Sequence, residues 1–241
     1  MKIGLNGMFG KMGQELAKII EKDPNLTLVA EIDRNHKIIK ETPDVWIDFS
    51  SETALLNLLE IVDEKTKIVS GTTGLSQETF EKIKKSGKTV VWGSNMSFGV
   101  NLIFALAKNL ASKLPQEQYD AEIYERHHRM KKDAPSGTAL TIGVNVAEGR
   151  NLDFEKVKRD YSIQGERKIG EIGFASERGG LTIGYHELSF ISDIERIWIG
   201  HEAFNRAIFA EGAVKIAKII FESNAKGYHE VHDILKKYYN L

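Results

Sequence analysis

Short apolar runs alternate with amphipathic segments along the first hundred residues. Five buried strands are predicted by the runs at residues 2–6, 26–32, 45–49, 67–70 and 89–92. Apolar residues at helical spacing predict helices at residues 11–20, after the N-cap residues Ser50 and Ser51, and at residues 78–85. Strands that alternate with helices form a parallel sheet, and ligands bind beyond the carboxyl ends of such strands.

The apolar pattern changes after Ser97. Helices are predicted at residues 102–114, 136–147 and 204–221, a strand at residues 121–125, and a charged loop at residues 151–168. Residues 169–199 read mostly as strand with turns at 179–180 and 192–193, and a slip in the apolar alternation near Glu187 predicts a bulge.

These patterns predict an α/β protein with a Rossmann-like parallel sheet domain plus a second α+β domain with a mostly antiparallel or mixed sheet. We expect residues 1–97 plus 206–241 to form the dinucleotide-binding domain. Residues 98–205 are expected to form the second domain. The C-terminal helices are expected to pack on the first domain.

Composition excludes several classes of function. Among 241 residues, 33 Lys and Arg balance 34 Asp and Glu, so no basic field favours nucleic acid or an anionic membrane. The absence of cysteine excludes disulfides, thiolate metal sites and a cysteine nucleophile. The chain has no apolar run long enough to span a bilayer and begins without a signal segment, so we expect a cytoplasmic protein.

A glycine-rich turn follows the first predicted strand and precedes a helix. In Gly7-Met8-Phe9-Gly10-Lys11-Met12-Gly13, the glycines allow close approach to a pyrophosphate at a helix N-terminus. Asp33 ends the next strand, where a carboxylate can bind ribose hydroxyls. Asp33 favours NAD, whereas Arg34 and Lys11 are either surface cations or partners of a 2′-phosphate. We expect dual use of NADH and NADPH.

The densest chemistry lies at residues 125–139, where two histidines and four cations precede a helix capped by Ser136. The helix start adds N–H groups from Gly137 and Thr138 and thereby predicts an anion site. His127 or Lys131 is then a candidate proton donor near neutral pH. An adjacent histidine pair is also common on surfaces and in cores. It makes a poor zinc site, so no metal is predicted.

The run Glu-x-His-His-x-x-Lys-x-Asp-x-Pro-Ser-Gly-Thr-Ala, beginning at Glu125, resembles the signature of the 4-hydroxy-tetrahydrodipicolinate reductase (dihydrodipicolinate reductase) family. The resemblance extends along nearly the whole chain. Further matching motifs are Gly7-x-x-Gly10-x-Met12-Gly13, Asp48-Phe49-Ser50, Gly71-Thr72-Thr73-Gly74, Ser94-Asn95-Met96-Ser97, Arg178-Gly179-Gly180 and Gly184-Tyr185-His186-Glu187.

The resemblance implies a role for each matching position. His127 and Lys131 match catalytic residues, and His128, Gly137 and Thr138 match substrate-binding residues. Cofactor-binding positions are matched by Gly7, Met8, Phe9, Gly10, Lys11, Met12, Asp33, Arg34, Gly71, Thr72, Thr73, Gly93, Ser94, Asn95, Met96 and Arg206. Met96 replaces an often aromatic residue, which predicts looser contact with the nicotinamide face. Met130 stands where some members have a further histidine, a position that the signature does not require.

The implied activity is NAD(P)H-dependent reduction of a cyclic dicarboxylate imine, with loss of water, in the diaminopimelate route to lysine. The second domain would then bind the small dicarboxylate substrate and build a homotetramer, and the two domains would close for hydride transfer. Two alternatives stay open from the residues alone: an amino-acid or sugar dehydrogenase, and a non-catalytic NAD(P)-sensing protein. The sensing protein would have no reason to retain both His127 and Lys131.

Overall fold

The structure is a computed structural model that describes residues 1–160 and 165–239. Part of the predicted loop, residues 161–164, lies outside the described residues. The chain divides into two compact units. Residues Met1–Phe98 with Ala207–Leu241 form the first, and Gly99–Arg206 form the second. The functional roles assigned above to the two domains stay predictions.

The first unit is a seven-stranded sheet flanked by helices. Its strands are β1 (Lys2–Asn6), β2 (Thr27–Asp33), β3 (His36–Ile39), β4 (Val45–Asp48), β5 (Lys67–Ser70), β6 (Val90–Trp92) and β12 (Tyr228–Glu230). They lie in the order β12-β6-β5-β4-β1-β2-β3, with β3 antiparallel to β2 and all other pairs parallel. The helices are α1 (Lys11–Lys22), α2 (Glu52–Ile61), α3 (Gln77–Lys85), α7 (Ala207–Glu222) and α8 (Val231–Tyr239).

The central strands of this sheet are apolar on both faces because helices cover both sides. One core layer joins Ile3, Leu5 and Ile47 to α1 and α7, and a second joins Trp46 and Ile68 to α2 and α3. Helix α7 therefore contributes to the core of the first unit although it follows the whole second unit in sequence. This arrangement brings the ends of β1, β4 and β5 together at one edge of the sheet.

The second unit is a five-stranded mixed sheet with helices on one face. Its strands are β7 (Asp120–His127), β8 (Lys158–Asp160), β9 (Ile172–Arg178), β10 (Gly184–Ile191) and β11 (Arg196–Ala203), in the order β11-β10-β7-β9-β8. Strands β7 and β9 are parallel, as are β8 and β9, while β10 runs antiparallel to both of its neighbours. The helices are α4 (Phe98–Ala111), α5 (Gly137–Gly149) and α6 (Phe154–Val157).

Alternation along β7 separates the two faces of this sheet. Ala121 and Ile123 point into an apolar core with residues of α4 and α5, and Glu125 and His127 continue the same buried face. Strand β7 is two residues longer at this end than the predicted strand. That extension places His127 on the strand, whereas His128 follows its end.

The predicted fold class is confirmed, and several predicted details are wrong. No bulge occurs at Glu187, since β10 pairs with β7 and β11 in unbroken register. The apolar alternation slips there only because His186, a polar residue, occupies a buried inward position. The predicted loop at residues 151–168 contains α6 and β8, and α7 begins at Ala207 rather than at Phe204. The short elements β3, β12 and α8 were not predicted.

None of the helices in residues 1–160 and 165–239 combines the length and the apolar character that a membrane crossing requires.

The contact between α7 and the segment that follows β6 depends on a glycine. An added Cβ at Gly212, on α7, would lie 1.9 Å from the Met96 carbonyl oxygen. We expect Gly212→Ala to lower the free energy of unfolding by about 1–3 kcal/mol, although alanine is the better helix former. Urea unfolding measures the change, and Glu211→Ala, at the exposed neighbouring position, should stay within about 0.5 kcal/mol of wild type. Equal stabilities of the two variants would contradict this packing.

Candidate active site

The glycine turn of the first unit is tightly closed between β1 and α1. Gly7 has φ +87°, and its N–H donates to the Ile32 carbonyl oxygen over 2.8 Å. An added Cβ at Gly13 would lie 2.2 Å from the Gly7 carbonyl oxygen. Gly10 is the N-cap residue of α1 and supplies no side-chain cap. The positive end of the helix dipole is thus approachable by a phosphate.

Asp33 connects this turn to the end of β2. One carboxylate oxygen accepts the Phe9 N–H and the other accepts the Arg34 N–H, each over 2.8 Å. These backbone hydrogen bonds, Phe9 first, hold the pKa of the Asp33 carboxyl below its ordinary value. The carboxylate stays charged at neutral pH and retains lone pairs for ribose hydroxyls.

A cavity of about 1080 Å³ opens beside Asp33, between the glycine turn and α2. Gly7, Phe9, Arg34 and Ser50 are among the residues that line it. Its size exceeds what small-molecule sites usually need, and its position is the one where a doubly wound sheet binds a nucleotide. The turn, the acidic residue and the cavity together fit the adenosine half of a dinucleotide.

A buried carboxylate lies beneath this edge of the sheet. Asp48 is fully buried and accepts hydrogen bonds of 2.7 Å from Asn6 Nδ2, Ser70 Oγ and Thr72 Oγ1, and a further one from Ser50 Oγ. Burial raises the pKa of Asp48, while its neutral donors act in the opposite direction. The network ties together the ends of β1, β4 and β5.

The remaining predicted cofactor residues of the first unit follow β5 and β6. Thr72 is buried, and its hydroxyl is engaged by Asp48 and by the Ser50 N–H. Only 1 % of Met96 is exposed, and its side chain packs into the core. The Met96 side chain therefore belongs to the core of the first unit, and its contact with a cofactor stays a prediction.

In the second unit, Glu125 is the centre of a buried polar cluster. Its carboxylate receives both terminal nitrogens of Arg178, at 2.9 Å and 2.6 Å, and contacts His127 Nδ1. Burial alone would raise the pKa of Glu125, but hydrogen bonds from His127, Arg178 and Ser176 outweigh it and lower the pKa to about 2. Glu125 is therefore ionised throughout the physiological range.

A second histidine borders this cluster. The His186 ring lies 5.0 Å from the His127 ring, and its Nε2 lies 3.0 Å from Ser136 Oγ, the N-cap group of α5. Burial, foremost, lowers the pKa of His186 to about 3. Ser136 Oγ also accepts the Ala139 N–H. The N-terminus of α5 is thereby fixed against β10.

Positive charge surrounds His128. Burial, followed by the charges of Arg206, His127, Lys131 and Arg178, lowers the pKa of His128. Its Nδ1 is buried and has no hydrogen-bond partner among the residues that the structure describes. Arg206, predicted to bind cofactor, thus contributes to the electrostatics of the second unit. Apart from burial, the causes of this shift are nearby positive charges.

Lys131 lies two residues from an acidic partner. Its Nζ is 2.9 Å from both carboxylate oxygens of Asp133, and the Lys131 N–H donates to the His128 carbonyl oxygen over 3.0 Å. Thr138 lies in the first turn of α5, directly after Gly137. The structure therefore groups His127, His128 and Lys131 near the N-terminal end of this helix.

Glu125, His127 and His186 also have the spacing of a metal site, with one ligand atom from each within 4.8 Å of the others. A cation there would compete with the guanidinium of Arg178, which already engages both Glu125 oxygens. The donor set therefore suits an internal ion pair better than a divalent metal.

Comparison with known families decides the relationship. The family model described as dihydrodipicolinate reductase, N-terminus, matches residues 1–96, and the one described as dihydrodipicolinate reductase, C-terminus, matches residues 99–235. The chain belongs to the dihydrodipicolinate reductase family. This confirms the predicted family and the predicted enzyme class, an oxidoreductase with a nucleotide-binding Rossmann domain.

Relatives of this family match the chain from end to end. The 4-hydroxy-tetrahydrodipicolinate reductase of Caldanaerobacter subterraneus is 37% identical, with 98% of this chain and 99% of the relative covered. The Ralstonia pickettii enzyme of the same name is 39% identical over 98% and 99%. A dipicolinate-bound dihydrodipicolinate reductase from Paenisporosarcina sp. TG-14 has the same fold, with a TM-score of 0.77 at 23% identity over 97% and 99%.

Glu125, Arg178, His186 and Asp48 lie within dihydrodipicolinate reductase motifs of the sequence, but no role was predicted for them. These side chains form buried polar contacts, and the pattern of apolar and polar residues along a sequence gives little sign of which polar residues are buried. The spacing of Glu125 and His127 was the available signal, because residues two apart on a strand share a face. Arg178 comes from a distant strand, and no local pattern pairs it with Glu125.

The low pKa of Glu125 generates a prediction for acid stability. In the folded protein the pKa of Glu125 is about 2, below the ordinary value of 4.5. The ionised side chain therefore adds to the free energy of unfolding above pH 4.5, and this stabilisation is lost as the pH falls toward 2. Glu125→Gln should therefore be less stable than wild type by about 3 kcal/mol at pH 6, and the difference should shrink below pH 4.5. Urea unfolding across this range measures it. A difference that is independent of pH would refute the assignment.

Proposed function

We propose that this chain catalyses the NADH- or NADPH-dependent reduction of 4-hydroxy-tetrahydrodipicolinate to tetrahydrodipicolinate, with loss of water, in the diaminopimelate route to lysine. Family membership and the names of its full-length relatives support this proposal. The observation that carries it for this chain is the grouping of Arg206, Lys131 and Arg178 around His128, whose buried Nδ1 has no hydrogen-bond partner among the described residues. A dicarboxylate is the kind of substrate that such a site favours.

Substrate binding is assigned to His128, Gly137 and Thr138. One carboxylate would lie against the start of α5, where the Gly137 and Thr138 N–H groups and the Thr138 hydroxyl can donate to it. The other would lie near the buried Nδ1 of His128 and the neighbouring cations. Two separated anion-binding groups orient the ring as well as bind it.

Proton transfer is assigned to Lys131 and His127. Lys131 Nζ would protonate the leaving hydroxyl or the nitrogen that becomes anionic, with His127 as the companion acid–base group. The hydride comes from the bound nicotinamide nucleotide. Lys131 is paired with Asp133 in the structure, so the incoming carboxylates would compete with Asp133 for the ammonium.

Cofactor binding is assigned to the glycine turn, Asp33, Arg34, the Gly71–Thr73 turn and the Gly93–Met96 segment, with Arg206 as a further contact. Asp33 would accept ribose hydroxyls, and Arg34, which lines the same cavity, would neutralise a 2′-phosphate. These two side chains support the use of both NADH and NADPH.

We further propose that the enzyme acts in the cytoplasm as a homotetramer formed by the second unit. Apolar surface on that unit supports a subunit contact, since 58 % of Trp198 is exposed on β11. Sedimentation of the purified chain tests this assembly. A monomer at micromolar concentration would contradict it.

The direct test of the activity is an assay with each cofactor. The purified chain, supplied with substrate made in situ by a dihydrodipicolinate synthase, should oxidise NADH and NADPH, as followed by their absorbance. Aspartate, homoserine and sugars should give no turnover with the oxidised cofactors. Activity only with one of those compounds would favour the amino-acid or sugar dehydrogenase alternative, and binding without turnover would favour a sensor.

Lys131 should affect chemistry more than cofactor binding. We expect Lys131→Ala to lower kcat by about 10²-fold or more, because a positioned acid is lost, while NADH affinity stays near wild type. Lys132→Ala, at the exposed neighbouring lysine, is the matched control for charge. Thr138→Val should mainly raise KM. Single-turnover hydride transfer at saturating substrate distinguishes the two roles. If Lys131→Ala transfers hydride at the wild-type rate, Lys131 serves only to bind the substrate.

Arg34 should distinguish the two cofactors. Removal of one charge-assisted contact costs about 1.5–3 kcal/mol, so Arg34→Ala should weaken NADPH binding roughly tenfold or more and NADH binding much less. Titration of each cofactor measures the affinities. Lys40→Ala, an exposed cation outside the cavity lining, should change neither of them. Equal losses for NADH and NADPH in Arg34→Ala would identify it as an ordinary surface cation.

A further inference from the structure

Glu125 and Arg178 form a buried ion pair on the substrate-binding unit, and the proposed chemistry gives neither residue a task. The Glu125 side chain is 1 % exposed and that of Arg178 is 19 % exposed. A buried charge is costly to maintain unless it is paired and hydrogen-bonded. A fold that needed only packing at these positions would be served equally well by apolar residues.

The geometry of the pair is set by two parallel strands. In the β7–β9 register, Glu125 lies opposite Ser176 and His127 lies opposite Arg178. Arg178 therefore lies diagonally across from Glu125 on the same face, within reach of a long side chain. The contact is bidentate, at 2.9 Å and 2.6 Å, and the Ser136 N–H donates to the same carboxylate over 3.3 Å. This geometry leaves the pair little freedom to rearrange.

Glu125 acts directly on His127. One carboxylate oxygen meets Nδ1 of the ring, and a carboxylate can only accept a hydrogen bond there. Nδ1 of His127 must therefore carry a proton, and Nε2 is the nitrogen that remains to exchange a proton with the substrate. Nε2 borders Gly184, where an added Cβ would lie 3.1 Å away. A fixed carboxylate thus determines both the tautomer and the orientation of the ring.

Arg178 acts on the segment that carries Lys131. Its Nη2 donates to the Asp133 carbonyl oxygen over 2.6 Å as well as to Glu125. The side chain of Asp133 in turn holds Lys131 Nζ at 2.9 Å. One guanidinium therefore connects the buried carboxylate to the backbone two residues after the lysine. The ion pair therefore contacts both parts of the proposed proton-transfer site. Glu125 contacts His127, and Arg178 contacts the backbone near Lys131.

We propose that Glu125 and Arg178 are a positioning pair that sets the tautomer of His127 and the backbone position of the Lys131 segment. Neither residue is assigned contact with the substrate. The inference rests on the proposed function, because it explains how the two proton-transfer residues are held. Its spectroscopic test below needs no turnover and therefore remains informative if the proposed reaction is wrong.

The first test concerns the tautomer. The chain has seven histidines. Two-bond ¹⁵N–¹H spectra of histidine-labelled protein, with His127 assigned by its absence in His127→Gln, should show Nδ1 protonated in the wild type. In Glu125→Gln the amide NH₂ can donate to Nδ1, so the His127 signals should move toward the Nε2-protonated form. An unchanged pattern in a folded Glu125→Gln protein would overturn the proposal.

The second test is a double-mutant cycle on kcat. Misplacement of an acid–base group by about 1 Å costs on the order of 10²-fold, so Glu125→Gln and Arg178→Ala should each lower kcat about that much. If the two residues act as one unit, the double variant should also lose about 10²-fold, rather than the roughly 10⁴-fold of independent effects. NADH affinity should change less than twofold. Multiplicative losses would contradict a shared role.

Controls separate positioning from general stability. Glu122 lies on the same strand but on the opposite face, and forms an ion pair with Arg167. Glu122→Gln should therefore lower the unfolding temperature without a comparable loss of kcat. Guanidinium added to Arg178→Ala should restore part of kcat, whereas it should leave Glu125→Gln unimproved. If Glu122→Gln lost kcat as severely, or if Glu125→Gln kept full kcat, the pair would be only structural. Glu125→Asp provides a second variant if Glu125→Gln does not fold.

Discussion

A carboxylate removed from water must be compensated at every lone pair, and each unit of this protein is built around one such group. Asp48 receives four neutral donors from the ends of β1 and β5, the two strands that flank β4, and from the loops after β4 and β5. Glu125 receives a guanidinium, an imidazole and a backbone N–H. Because the demands of a buried charge are directional, each carboxylate fixes the segments that supply its donors.

The donors around the two carboxylates differ in charge: those of Asp48 are neutral, whereas those of Glu125 include a guanidinium. This difference matches the surroundings of each carboxylate. Burial raises the pKa of Asp48 despite its four neutral donors, whereas the hydrogen bonds from His127 and Arg178 outweigh burial and lower the pKa of Glu125. The first arrangement lies beneath a turn where a phosphate would bind, and additional positive charge is supplied there by a helix N-terminus. The second lies among cations that would otherwise repel one another, and its carboxylate offsets part of that charge.

Local patterns predicted the elements of the first unit well because parallel strands and amphipathic helices have distinct periods. A bulge was wrongly predicted at Glu187, because the buried polar residue His186 interrupts the apolar alternation of a regular strand. The short elements β3 and α8 were not predicted. For the site, the histidine signature and Asp33 were visible as motifs. The partner of Glu125 was not assigned, since Arg178 approaches it from a strand about fifty residues away and only the register of β7 and β9 joins them.

The positive surroundings of His128 have a kinetic consequence. The chain as a whole carries a formal net charge of −1, so no overall positive field adds to these local cations. At physiological ionic strength the field of exposed charges is screened within about 8 Å. If a dianion binds beside His128 as proposed, dissolved salt would therefore slow its capture more than the steps that follow.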